Sequence, residues 1–248
     1  MLILGIESSA GPCGAALVRD GKCIADFRLN SRKTHSQTLL PLIDEVFRKS
    51  DCEKSELTAV AVSSGPGSYT GLRIGSATAK GIGLALGIPI VPVPTLQSLA
   101  FGAAPAGMLV CPMMDARRGE VFTALYRNGA NADGSPREIL PAACLPRKEL
   151  FAKLRDFREK IVFCGDGIDL YEKEILDESE DFIAAPENLR EADAGAAAVL
   201  GEILFRAGVS EPADQHVPRY LKKSQAERVR EAQAKMRGAE GSAFHGTD

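Results

Sequence analysis

Alternating apolar and polar positions divide the first thirty residues into three strand-length segments. These segments are 2–7, 13–19 and 22–30, and turn residues separate them. Asp20-Gly21, between the second and third segments, is a strong hairpin signal. The pattern therefore predicts an antiparallel meander of three strands.

Helical periodicity then alternates with short apolar runs as far as residue 103. The predicted elements are helix 36–50, strand 57–63, helix 71–86, strand 88–94 and helix 95–103, the last capped by Thr95. The chain thus changes from adjacent strands to strands separated by helices, which is typical of a mixed sheet covered by helices.

The second half repeats this pattern in a weaker form. Its predicted elements are strands 108–115 and 119–127, a candidate third strand at 137–143, helix 145–157 and strand 160–166. In both halves the first strand ends on an acid, Glu7 or Asp115, and a tight turn follows. This duplication predicts an α/β fold of the actin-like ATPase (ASKHA, ribonuclease-H-like) class, with two lobes that are each a mixed β-sheet flanked by helices.

The predicted boundaries follow from this repeat. Residues 1–103 form the first lobe and 104–191 a smaller second lobe, while an alanine-rich helix at 192–207 is expected to pack back on the first lobe. Residues 218–248 form a charged C-terminal tail with few apolar anchors. The tail is either a solvated end of the chain or a basic contact surface for a partner or RNA.

Composition restricts the classes of protein that fit. The 248 residues are 45% hydrophobic and 25% charged, with a formal net charge of -3, so the whole molecule does not attract nucleic acid electrostatically. The sequence has no run of about 18 apolar residues and no signal-peptide pattern, which predicts a soluble, cytoplasmic protein without membrane contact. The six scattered cysteines include no C-x-x-C pair and are typical of reduced core residues.

The stretch SSGPGSYTGLRIGSATAKGIGLALG, residues 63–87, resembles a phosphate-binding loop, because a glycine-rich turn joins a strand to a helix. It supplies Gly65 and Gly67 of the dinucleotide fingerprint, but Thr70 stands where the third glycine belongs. It also lacks the lysine that follows the last glycine of a P-loop. Neither fingerprint fits.

In two-lobed ATPases the phosphates lie between the turns that follow the first strand of each lobe. Here the turns are ESSAGPCGA and DARRGEV, which we interpret as degenerate phosphate turns, with candidate residues Glu7, Ser8, Ser9, Asp115, Arg117 and Arg118. The two arginines could pair with phosphate or occupy the space that it needs. Intact ATP hydrolysis is therefore not expected.

Catalytic and metal-binding patterns are weak. The three histidines, His35, His216 and His245, are far apart and form no H-x-x-x-H or H-E-x-x-H pair. Ser8, Ser9, Ser63 and Ser64 lack a G-x-S-x-G context. We therefore predict no catalytic residues, no metal site and no cofactor for this chain.

Small residues recur every four positions along helix 71–86. One row is Gly71, Gly75, Ala79, Gly83 and Gly87, and a second row is Ala77, Gly81 and Ala85. Three interior glycines together reduce helix stability by roughly 2 to 3 kcal/mol, which a close backbone contact would offset. Two interpretations remain open: the helix covers the sheet of its own lobe, or it forms a contact face with another protein.

Six segments in order along residues 4–223 resemble the bacterial TsaB (YeaZ) family of tRNA threonylcarbamoyladenosine biosynthesis proteins. They are LGIESSAGPCGAAL, THSQTLLPLID, SSGPGSYTGLRIGSATAKGIGLALG, TLQSLA, DARRGEVFTALY and VPRYLKK. The tail from Ser224 lies outside this resemblance.

The resemblance implies a non-catalytic scaffold subunit with this fold. Such a subunit pairs with a TsaD-like catalytic subunit and a TsaE-like P-loop ATPase, forms a homodimer when alone, and contacts tRNA mainly through the complex. The complex adds threonylcarbamoyl to the adenosine 3′ of the anticodon in ANN-decoding tRNAs. A self-sufficient kinase or ATPase of the same fold and, last, a metalloprotease remain as alternatives.

The resemblance also implies that the pairing surface is the first lobe's two helices. The predicted partner-contact residues are Leu39, Leu40, Ile43, Phe47, Tyr69, Leu72, Arg73, Gly75, Ser76, Ala79 and Gly83.

Overall fold

The first half of the chain builds a five-stranded mixed sheet. A computed structural model describes residues 1–222. The strands of this sheet are β1 (Leu2–Glu7), β2 (Cys13–Arg19), β3 (Lys22–Leu29), β4 (Ala59–Gly65) and β5 (Ile90–Pro94), in the order β3-β2-β1-β4-β5. β1, β2 and β3 are antiparallel, and β4 and β5 join in parallel beside β1. The predicted meander is confirmed.

Three helices follow the strands of the first half, namely α1 (His35–Lys49), α2 (Tyr69–Leu86) and α3 (Thr95–Ala103). Ser68 caps α2 by accepting a hydrogen bond from the Gly71 N–H. The helix ends at Gly87 in the left-handed conformation, which glycine adopts most readily. The prediction that Thr95 caps α3 is wrong, because Thr95 is already helical and its hydroxyl accepts from the Gly65 N–H at 3.2 Å.

The second half repeats the same sheet. Its strands are β6 (Leu109–Asp115), β7 (Glu120–Arg127), β8 (Arg137–Pro146), β9 (Ile161–Cys164) and β10 (Phe182–Ala184), in the order β10-β9-β6-β7-β8. Its helices are α4 (Arg147–Leu154), α5 (Gly167–Glu178) and α6 (Ala194–Arg206). The strand order matches that of the first sheet, which confirms the duplicated actin-like α/β fold. The sequence prediction missed α5 and β10.

The two faces of the first sheet have different neighbours. Leu4 of β1 shares a core with α1, whereas Ile3, which points to the opposite face, shares one with α6. A Cβ atom at Gly5 would collide with the Ala194 carbonyl oxygen, and one at Gly201 would collide with Ala61. Glycine at these two positions therefore lets α6 lie directly against the sheet.

The last helix of each half packs on the sheet of the other half. α6, from the second half, covers β1 and β2 of the first sheet. α3, from the first half, contributes Leu96, Leu99 and Ala103 to the core of the second sheet. α4 and α5 cover the opposite face of that sheet. The exchange of α3 and α6 joins the two lobes through buried apolar surface, and each fully buried leucine contributes roughly 1.5 to 3 kcal/mol.

Two carboxylates meet at the N-terminus of α6. Asp193 accepts a hydrogen bond from the Ala196 N–H at 2.6 Å, and Asp26 of β3 accepts one from the Gly195 N–H. The pKa of Asp26 is raised to about 6, mainly by its partial burial and to a smaller extent by the negative charge of Asp193. Both causes disfavour the ionised form of Asp26.

The β6–β7 turn holds three successive residues in the left-handed region. Their φ angles are 66° at Arg117, 61° at Arg118 and 77° at Gly119. Only the last is glycine, and a non-glycine residue in this region costs about 1 kcal/mol or more. The turn therefore holds its two arginines in strained backbone.

We expect Asp26→Asn to stabilise the protein at neutral pH. Because folding raises this pKa, the stability that Asp26 contributes is complete below pH 4 and is lost as the pH rises through about 6. The uncharged variant has no such loss. Its melting temperature should match that of the wild type near pH 4 and exceed it at pH 8.

The Asp193→Asn background provides the control for this prediction. With the neighbouring charge removed, Asp26→Asn should raise the melting temperature by less. Equal gains in both backgrounds would show that the two carboxylates do not interact.

We expect Arg118→Gly to be more stable than Arg118→Ala by about 1 kcal/mol, because only alanine keeps the left-handed strain. Urea unfolding of the two variants checks this, and both lose the same guanidinium. Equal urea midpoints for the two variants would contradict the proposed backbone strain at position 118.

Candidate functional site

The two turns that follow β1 and β6 line one cleft between the lobes. The cleft has a volume of about 480 Å³. Its lining comes from the first turn (9–11), the glycine-rich loop (66–69), the second turn (114–117), Phe122, Asp166 and the segment 219–222. This is the place where a two-lobed ATPase would hold its phosphates.

Glu7, the acid of the first turn, is fully buried and does not line the cleft. One carboxylate oxygen accepts from the N–H of Ser9 at 2.6 Å and from the Ser9 hydroxyl, and the other accepts from the Ser63 hydroxyl of β4. Burial raises the pKa of Glu7, although these hydrogen bonds favour the ionised form. The carboxylate therefore fastens the turn to the neighbouring strand.

The serines of the first turn hold the glycine-rich loop. The Ser8 hydroxyl donates to the Gly71 carbonyl oxygen at 2.9 Å, and the Ser68 N–H donates to the Ser9 carbonyl oxygen at 2.7 Å. Of the predicted first-turn residues, only Ser9 lines the cleft. The polar groups of the first degenerate phosphate turn therefore mainly bind other groups of this chain.

The glycines of the loop give room for that turn. A Cβ atom at Gly67 would collide with the Ser9 carbonyl oxygen, and one at Gly71 with the Ser8 carbonyl oxygen. A Cβ atom at Gly75 would collide with the Ser8 hydroxyl. The loop that resembled a phosphate cradle holds its own β1–β2 turn instead.

The second turn keeps its charges paired. The Arg117 guanidinium lies 3.1 Å from the Asp115 carboxylate, which also accepts from the Arg117 N–H at 2.8 Å. The Asp115 N–H donates to Asp166 at 3.0 Å, and burial raises the pKa of Asp166. Arg118 is exposed. A phosphate entering this side of the cleft would compete with Asp115 for Arg117.

The predicted partner-contact residues differ in their exposure within this chain. Leu40, Tyr69 and Arg73 are exposed, but the others are buried in the chain itself: Leu39, Ile43, Phe47, Leu72, Gly75, Ser76, Ala79 and Gly83. The α2 residues face their own lobe because the row Gly71–Gly83 covers the first turn, β4 and the segment after α6, and the α1 residues Leu39, Ile43 and Phe47 belong to the core of the same lobe. The interpretation that α2 covers its own sheet therefore holds for this row.

The second small-residue row of α2 is the exposed one. Ala77, Gly81 and Ala85 face solvent together with Leu84, which is 60% exposed. In the part of the chain that the structure describes, a Cβ atom at Gly81 would have no neighbour within 4 Å. We call Ala77, Gly81, Leu84 and Ala85 the open strip of α2. Leu84 shares a helical face with Ala77 and Gly81, so its position in the sequence could have indicated that this row forms a separate apolar surface.

The tail predicted from residue 218 onward needs a correction at its start. Arg219, Tyr220 and Lys222 contact ordered parts of both lobes, so they do not form a solvated end. Residues 223–248, which hold the rest of the predicted tail, lie outside the described residues.

The histidine contacts are structural. His35 begins α1, and its Nε2 lies 3.1 Å from the Gly11 carbonyl oxygen of the first turn. Within residues 1–222, no group of three or more His, Cys, Asp or Glu side chains could hold a metal ion. In the same residues, no helix is both long enough and apolar enough to cross a membrane.

Known proteins match this chain along most of its length. The family model described as TsaD, tRNA N6-adenosine threonylcarbamoyltransferase, matches residues 28–229. The TsaB protein of Escherichia coli (strain K12) is 37% identical over 133 residues, which cover 53% of this chain and 57% of that protein. A solved structure from Pseudomonas aeruginosa, described as similar to peptidase YEAZ, has a TM-score of 0.74 at 24% identity and covers 89% of this chain and 99% of its own. That structure supports the fold.

A further relative is matched over nearly its whole length. The tRNA threonylcarbamoyladenosine biosynthesis protein TsaB of Bacillus subtilis (strain 168) is 32% identical over 233 residues, covering 92% of this chain and 96% of that protein. The chain therefore belongs to the TsaB (YeaZ) family of tRNA threonylcarbamoyladenosine biosynthesis proteins.

Proposed function

We propose that this chain is a non-catalytic accessory subunit of the complex that adds threonylcarbamoyl to the adenosine 3′ of the anticodon in ANN-decoding tRNAs. The observation that carries the proposal is the burial of Glu7. Its carboxylate is enclosed and occupied by serine donors, so it cannot orient a metal-bound water in the cleft. The pairing of Arg117 with Asp115 supports the same conclusion for the second turn.

The proposed catalytic partner is a TsaD-like subunit, because the TsaD family model matches most of this chain and so indicates two related folds. A TsaE-like P-loop ATPase would complete the assembly. The complex would act in the cytoplasm, and tRNA would be bound mainly through the partner subunits.

The proposed pairing surface is the open strip of α2, together with Leu40, which is exposed on α1. Gly81 reduces helix stability by roughly 1 kcal/mol relative to alanine, and no neighbour among residues 1–222 uses the space that it leaves. A second helix that packs closely against Ala77, Gly81 and Ala85 would offset this loss through dispersion contacts. The same strip would support a homodimer when the partner is absent.

The proposal is tested by purifying the chain with the cognate TsaD-like protein and the TsaE-like ATPase. The nucleosides of the tRNA are then analysed after reactions with and without this chain. Modification that requires this chain supports the proposal. Modification at the full rate without it contradicts an accessory role.

We expect Gly81→Leu and Ala77→Glu to remain folded but to bind the TsaD-like subunit at least tenfold more weakly. Both changes lie on exposed helix positions. Gly81→Leu raises helix propensity and Ala77→Glu lowers it by less than about 0.7 kcal/mol, so the melting temperature should change little. In the complex, added volume or charge would separate the two helices. Titration calorimetry measures the affinity.

Two variants serve as controls for that prediction. Position 79 is buried in the lobe's own core. Overpacking in Ala79→Leu should reduce the free energy of unfolding by about 1 to 3 kcal/mol and so lower the melting temperature. Leu170→Glu lies on an exposed position of α5 in the second lobe and should change neither property. Unchanged affinity in Gly81→Leu and Ala77→Glu would refute the open strip as the pairing surface.

We also expect the purified chain to hydrolyse ATP no faster than background, because Glu7 is closed off from the cleft. A phosphate-release assay with Mg-ATP checks this. Turnover that disappears in Arg117→Ala would instead favour a self-sufficient ATPase.

A further inference from the structure

Residues 211–222, which we call the strap, run from the end of α6 along α2. Glu211 exchanges two backbone hydrogen bonds of 2.9 Å with Ile90 of β5. The Lys80 ammonium of α2 donates to the carbonyl oxygens of Asp214 at 2.9 Å and His216 at 3.0 Å. The first part of the strap is therefore bound to the first lobe.

The middle of the strap rests on the glycine-rich loop. The Arg219 N–H donates to the Ser64 carbonyl oxygen at 2.7 Å. Gly65, with φ at +115°, leaves the space that the Arg219 carbonyl oxygen fills. The Tyr220 ring then lies 5.0 Å from the Tyr69 ring, at the start of α2. The strap is thus held at the edge of the cleft by both backbone and ring contacts.

The end of the strap reaches the second lobe. The Lys222 ammonium donates to the Ala116 carbonyl oxygen at 2.8 Å and to the Glu120 carboxylate. Ala116 lies in the β6–β7 turn, and Glu120 is the first residue of β7. One continuous segment therefore contacts the glycine-rich loop of the first lobe and the second turn.

The strap also divides the space between the lobes. Arg219 and Leu221 line the 480 Å³ cleft on one side and a second cavity of about 540 Å³ on the other. In an active two-lobed ATPase this space is the place for a nucleotide, which contacts both turns. Here the chain's own backbone runs through it.

We propose that the strap takes the place of a nucleotide as the bridge between the two lobes and holds them at one fixed angle. Lys222 supplies the cation at the second turn, and Arg219 and Tyr220 supply the contacts at the first lobe. The device works within this chain alone, so it does not depend on the proposed partner.

The full chain with Lys222→Met and Tyr220→Ala tests the strap, with Lys173→Met and Leu170→Ala on exposed α5 as the matched control. Spin labels on ketone-bearing amino acids at the exposed positions 32 and 160 report the distance between the lobes. We expect one narrow distance in the wild type and control. In the strap variant, the width of the distribution should at least double.

Hydrogen exchange gives a second measurement. Amides of the turn 115–120 should exchange at least tenfold faster in the strap variant, while β1 and β6 stay as protected as in the wild type. Glu120→Gln removes the negative charge that pairs with Lys222 from the opposite side and should broaden the distance distribution in the same way. Glu120→Gln also tests the proposal if the double variant fails to fold. An unchanged distance width in Glu120→Gln, or in a folded double variant, would overturn the proposal.

Discussion

The buried contact between the β1–β2 turn and the glycine-rich loop determines the arrangement of the first lobe. Glu7 joins β1 to β4 through serine hydroxyls, and the glycines of the loop let two backbones approach without intervening side chains. The position of α2 follows from this contact, because Ser68 both caps the helix and donates to the turn. The exposure of the open strip of α2 and the contact of the strap with Gly65 both depend on the position of α2.

Much of the fold could be predicted because local signals agreed with one another. The meander followed from Asp20-Gly21 and alternation, and α2 followed from helical periodicity. α5 was missed because only Gly167, Ile168 and Ile175 are buried and its exposed leucines blur the apolar stripe. β10 has only three residues, too few for a strand pattern.

The site was harder to predict because its deciding contacts are between residues distant in sequence. Both small-residue rows of α2 looked alike, and only the fold shows that Ser8 lies against Gly75 while Gly81 is open. The first-turn acid could be singled out from its position at the end of β1, but its buried hydrogen bond with Ser63 joins residues far apart along the chain. VPRYLKK has no periodicity, and its described residues bind through one backbone hydrogen bond at Arg219 and through the side chains of Tyr220 and Lys222, whose partners are distant in sequence.

The exchange of α3 and α6 has a consequence for synthesis on the ribosome. The face of β1 that contains Gly5 packs closely against α6, which ends at Arg206. The first sheet therefore emerges with one apolar face uncovered and stays so until nearly all of the described chain has been translated. Neither lobe can complete its folding before the other has been made, so both cores are expected to form late and together. Until then, the nascent first lobe exposes an apolar sheet surface that chaperones can bind.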